Sequence, residues 1–125
     1  MRPLAAALAL ACLAGCGSTP KDLMEDRPRA DYKSTKAAAE AARCVTRNAD
    51  ELKWGPFALS YPATMRADST RKLFDVSYGW SGWLVFHAQI TPTSSGALIS
   101  YWETAQPTMF FHGDGTLFER VTRGC

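Results

Sequence analysis

The hydrophobic pattern changes period along the chain. From Ala38, the apolar residues Ala38, Ala41, Ala42, Val45, Ala49 and Leu52 recur at helical intervals, a spacing that lays one stripe along an α-helix. Glu40, Arg43 and Arg47 fall on the opposite side. Ser34 or Thr35 can cap the amino end, and Gly55-Pro56 stops the run. The stripe is mostly alanine, so this helix is expected to lie close to whatever it covers. Cys44 sits on the stripe's margin, about one turn from Ala41.

After Pro56 the period becomes two. "FALSY" and "TMRA" are short candidate strands broken at Pro62. "RKLFDVSY" sets Phe74, Val76 and Tyr78 against Asp75 and Ser77. "WLVFHAQIT" sets Leu84, Phe86, Ala88 and Ile90 against His87, Gln89 and Thr91. With "ALISYWET" these predict an antiparallel meander turning at Gly79–Gly82 and Pro92–Gly96, one face buried and the other solvated. The tail "MFFHGDGTLFERV" supports two readings. His112-Gly-Asp-Gly can turn a hairpin, or Asp114 can cap a short helix with Leu117, Val121 and Cys125 on one face and Arg120 and Arg123 near its end. The helix is the preferred reading. The order helix, strands, helix predicts an α+β two-layer sandwich, with both helices on one face of a sheet of about three to five strands.

Before the helix the character is different. Residues 17–32, "GSTPKDLMEDRPRADY", are polar and carry Pro20 and Pro28, the composition of a flexible tether. Upstream, Arg2 precedes an Ala/Leu run from Leu4 to Ala14, which has the length of a secretory h-region and is too short to cross a bilayer of about 30 Å. The run ends in Leu13-Ala14-Gly15-Cys16, which resembles the lipobox of bacterial lipoproteins. That resemblance implies a signal peptide over 1–15 and a lipid on Cys16; with the polar stretch and the periodic segments, this leaves a tether over 16–32 and a single α+β domain over 33–125. Cys12 would leave with the signal, because Leu10 stands where a lipobox prefers a small residue. Gly17 and Ser18 follow Cys16 with no Asp, which by the same resemblance implies the outer membrane, with the domain facing the periplasm. The other reading of this stretch is an ordinary signal peptide with a coincidental LAGC. The segment "DYKSTKAAAEAARCVTRN", the strands after it and the closing cysteine are similar to small proteobacterial lipoproteins and periplasmic proteins. This likeness implies an address and a fold, and no activity.

Of the four cysteines, Cys44 and Cys125 are left for the domain. In an oxidising compartment such a pair is most simply a disulfide, here between the two helices. Free thiols or a metal site are the alternatives, and neither cysteine has Cys or His neighbours at ligand spacing. Fourteen basic against twelve acidic residues give no argument for nucleic acid or for an acidic partner.

Candidate chemistry is sparse. "GWSGW" departs from the nucleophile elbow G-x-S-x-G, since Gly82 follows Ser81 directly and Trp83 replaces the last glycine. His87 and His112 are far apart, and neither has a partner spaced for a metal pair. His112 and Asp114 are close enough for a His–Asp contact, the basis of one alternative, a small envelope hydrolase or transferase. The preferred expectation is no catalytic residue, no metal and no cofactor beyond the covalent lipid. Aromatic residues are the more informative signal. Tyr78, Trp80 and Trp83 cluster at the first turn, and Trp80 there is expected to be exposed. With Tyr78 it could contact an envelope protein or cell-wall glycan, while Trp83 and Trp102 pack. All these rings could instead fill a core poor in Leu and Ile. The expected function is therefore a non-enzymatic envelope lipoprotein, partnered by the membrane through its anchor.

Overall fold

A computed structural model describes residues 19–80, 82–104, 111–113 and 115–125. The chain runs α1 (Pro20–Leu23), β1 (Ala30–Ser34), α2 (Ala38–Asp50), β2 (Lys53–Trp54), β3 (Thr64–Asp68), β4 (Leu73–Trp80), β5 (Trp83–Thr93), β6 (Gly96–Glu103), β7 (Phe111–His112) and α3 (Leu117–Thr122). Five strands form one antiparallel sheet in the order β1-β6-β5-β4-β3, and β2 pairs with β7 in a separate two-stranded ribbon.

The period-two segments become β4, β5 and β6, and cross-strand register aligns their apolar faces. Val76 stands opposite Ala88, which stands opposite Tyr101. Tyr78 faces Phe86, and Ile90 faces Ile99. All seven side chains are buried. Onto this face α2 lays Ala41, Ala42, Val45 and Ala49, each fully buried, and it touches β3, β4, β5 and β6. The alanine stripe leaves little standoff, so backbone and sheet approach closely. Truncating a larger side chain of this layer, such as Ile90, to Ala would cost about 2–5 kcal/mol.

Several expectations need correction. Neither Ser34 nor Thr35 caps α2, whose first flanking residue, Ala37, makes no side-chain cap bond. Ser34 instead ends β1, where its hydroxyl donates to the Cys125 carbonyl and accepts from the Lys36 N–H (3.1 Å). "FALSY" is not a strand. Its Leu59 bridges back to Trp54 through two backbone hydrogen bonds of 2.9 Å, closing a loop whose Gly55 takes positive φ. Ala30–Tyr32, read from the sequence as the end of the tether, enter β1 and pair with Tyr101 to Ile99 of β6. The tail contains both a short strand and a helix. Thr116 caps α3, accepting from Glu119 N–H (3.1 Å) while Glu119 accepts from Thr116 N–H (3.2 Å). Asp114 lies outside the described residues.

The helices are not gathered on one face. α3 docks chiefly on α2, with Phe118 meeting the Tyr101 ring at 5.2 Å, whereas α1 contacts β5. A disulfide joins Cys44 to Cys125. It does not link two helices, because Cys125 lies beyond the end of α3 at Thr122. Asn48 of α2 holds the same tail in place, its amide donating to the Val121 and Arg123 carbonyls at 3.0 Å each. These carbonyls would otherwise end the helix unpaired.

Candidate functional site

The outer face of the sheet is less solvated than the alternation predicts. Its central member is His87 of β5, which is only 2% exposed. Ser77 of β4 is its direct cross-strand partner, and its hydroxyl lies 2.8 Å from Nδ1. Asp75, two residues earlier on β4, lies 3.1 Å from Nε2 and also meets Arg71 at 3.3 Å. Arg71 closes the chain of contacts on Asp68 at 2.7 Å. That carboxyl is held below its usual range, first by the Arg71 backbone N–H and then by its side chain.

His87 is covered by Trp102, its partner on β6, with ring centroids 6.2 Å apart. Trp102 is itself buried, and its indole N–H donates to the Asp26 carbonyl at 2.9 Å. The segment expected to be a free tether therefore crosses this face. A capping box on Thr19 and Asp22 starts α1, and Arg29 N–H bonds the Tyr101 carbonyl at 2.7 Å.

Ser77, His87 and Asp75 form a hydroxyl–imidazole–carboxylate chain. Asp75 can only accept, so Nε2 carries the ring proton and Nδ1 accepts from Ser77. Burial lowers the His87 pKa, and this outweighs the opposing pull of Asp75; the ring is neutral at neutral pH. The polarity is that of an activated hydroxyl, yet the surroundings do not fit acyl transfer. The imidazole is buried, and Ser77 is ladder-paired on both sides, to Thr64 and His87. Its backbone N–H is thereby committed to the sheet rather than to an oxyanion. The chain of contacts serves as a satisfied polar network that fixes the β4–β5 register. Sequence reading missed it because it weighed His87 alone. Asp75, Ser77 and His87 all lie on the polar face of consecutive strands, and that shared face was the available signal.

The aromatic candidates change places. Tyr78 is 1% exposed, and its hydroxyl accepts from the Trp54 indole N–H at 2.6 Å. Burial pushes its phenol pKa up to about 12. Trp80 is half-buried, stacked on Tyr61 (centroids 5.1 Å) and tilted against Trp54 (4.8 Å). Trp83, expected to pack, is 45% exposed. Trp80 and Trp83 face each other across the hairpin, and Ser81 between them lies outside the described residues. A shallow cleft of about 370 Å³ runs past them, lined also by Pro20, Pro62, Ser77 and Leu84. Phe57 and Leu59, on the loop leading to Tyr61, are exposed as well.

A second cavity, of about 520 Å³, lies between Arg29, Glu103 and the start of α3. Its charges are mutually satisfied: Glu103 pairs with Arg29 at 2.6 Å and accepts from the Tyr101 hydroxyl at 2.8 Å. Burial first, and the neighbouring Glu103 charge second, push the Tyr101 phenol well above its usual range. Among the described residues, no three His, Cys, Asp or Glu side chains converge as a metal site. Cys16, Cys12 and Asp114 lie outside the described residues, as does the side chain of His112. No family model, no curated protein and no solved structure matches this chain.

Proposed function

We propose that this protein is a lipid-anchored, non-enzymatic domain of the bacterial envelope, attached through Cys16 to the outer membrane and facing the periplasm. It acts by binding, through the surface around Trp83. The observation that carries the reading is the closeness of anchor and fold. The lipobox-like Leu13-Ala14-Gly15-Cys16 ends three residues before Thr19, where the capping box of α1 begins. The segment after α1 is fastened along the sheet rather than free. A lipid on Cys16 would thus hold the domain against the membrane, not on a long leash. The Cys44–Cys125 disulfide suits an oxidising compartment. The buried, fully engaged His87 supports a binding role over hydrolysis.

The test is metabolic labelling with palmitate, with and without globomycin, in cells expressing the wild type or Cys16→Ser. Labelled wild type that fractionates with the outer membrane, and unlabelled Cys16→Ser, are the expected results. Persistent labelling of Cys16→Ser would refute the assignment of the anchor.

A further inference from the structure

We infer that the occupant of the Trp83 surface is the lipid bilayer itself, with the Trp83 indole seated at headgroup depth beside the anchor. This rests on the lipidation of Cys16 proposed above. Pro20 lines the same cleft as Trp83, and Cys16 precedes it by four residues. At about 3.5 Å per extended residue, the lipidated sulfur's Cα lies within about 14 Å of Pro20. A membrane holding the acyl chains therefore lies within reach of the cleft edge.

The chemistry of that edge fits an interface. Trp83 is nearly half exposed at a hairpin tip, and an indole with an apolar body and one N–H donor prefers the boundary between hydrocarbon and water. Alongside the uncharged Thr64, Ser77 and Tyr78, the cleft is lined by Pro20, Pro62, Leu84 and both tryptophans, and no charged side chain lines it among the described residues. A lining without charge is compatible with entry among headgroups. A glycan platform fits less well, since the Trp80 ring is already occupied by Tyr61 and Trp54. One projecting indole flanked by prolines is a wedge more than a stacking surface. The lipid chains supply stable attachment; Trp83 fixes which side of the domain meets the membrane.

The experiment uses the lipidated full-length protein purified from envelopes and reconstituted in phosphatidylethanolamine/phosphatidylglycerol vesicles. Part of the phosphatidylethanolamine is brominated near the headgroup. The chain has four tryptophans, and a bromolipid that reaches Trp83 alone should remove about a quarter of the emission, as expected for one interfacial indole. Trp83→Phe should abolish that quenching while still floating with the vesicles and keeping the wild-type urea midpoint. Equal quenching in wild type and Trp83→Phe would overturn the inference. So would vesicle-bound wild type with no quenching, which leaves the anchor reading standing. Protection of Trp83 from acrylamide in native envelopes but not in vesicles would overturn it in favour of a protein or glycan occupant. Protein that carries no lipid and does not float would bring down the anchor reading and this inference together.

Discussion

Removing the Cys44–Cys125 bond by the double substitution Cys44→Ala, Cys125→Ala tests what holds the carboxyl end to the fold. The two residues are 81 apart in sequence. In the chain-entropy model, releasing a loop of that length restores about 4.5 kcal/mol of freedom to the unfolded chain. Small domains hold only about 5–15 kcal/mol in total, so the loss is a large share. The folded tail should stay seated, because Asn48 still binds the Val121 and Arg123 carbonyls and Ser34 still binds the Cys125 carbonyl. The effect therefore acts mainly through the unfolded state. Urea unfolding at pH 7, followed by tryptophan fluorescence, measures it. With a slope of about 1.5 kcal/mol/M, the midpoint should fall by about 3 M. A fall under about 0.5 M would refute the reasoning, as would free thiols at both cysteines in the native protein by mass spectrometry. Asn48→Ala, in the oxidised protein, should cost about 1–3 kcal/mol by stranding two helix-end carbonyls. Its cost should change in the cysteine-free background, since the groups share one contact site.

Three further outcomes follow from individual sites. The His87 pKa is lowered on folding from its ordinary 6.5; the unfolded chain therefore binds the proton more readily. Stability should hold above about pH 6.5 and decline as pH falls below it, levelling off once the folded ring is protonated; His87→Gln should remove that portion of the slope in urea midpoints measured from pH 7.5 to 4.5. Gly79→Ala should cost more than about 3 kcal/mol, because its Cβ would collide with the Trp83 backbone carbonyl; a normal melting curve would contradict the β-bulge at Tyr78/Gly79. Trp54→Phe should lose about 1–3 kcal/mol by removing the indole N–H that donates to the buried Tyr78 hydroxyl, read as a lowered thermal midpoint.

Local periodicity carried the long helix and the three central strands, because those residues bury one face and the pattern follows directly. It failed where tertiary context decides. β1 alternates correctly, Ala30, Tyr32 and Ser34 against Asp31 and Lys33, but its polarity and the nearby prolines read as tether. β2 and β7 are two residues each and are set by partners distant in the chain, with Trp54 also bridged to Leu59. The outer face reads as solvated because nothing local says that a segment many residues upstream will cover it. The candidate site depended on one irregularity. A plain two-residue hairpin at Trp80–Trp83 would set Ser77 opposite Phe86, polar against apolar; the bulge at Tyr78/Gly79 shifts the pairing by one and brings Ser77 to His87. That conflict of faces, together with Gly79, is visible in the sequence once the hairpin is drawn. The exchange between Trp80 and Trp83 was not visible, because it depends on Trp54 and Tyr61 arriving from elsewhere to enclose one ring.

The placement of β1 has a mechanical consequence. In a chain held at its amino end, any pull on the domain first reaches α1 where it contacts β5, then the Trp102–Asp26 bond, then the Arg29–Tyr101 bond, then the five paired residues of β1. At the far end of that strand Ser34 grips Cys125, which is covalently tied to α2. Tension would have to peel these fastenings in series before it reached a covalent stop. Under a pull from the amino end, the load path thus ends at a joint that cannot be unzipped.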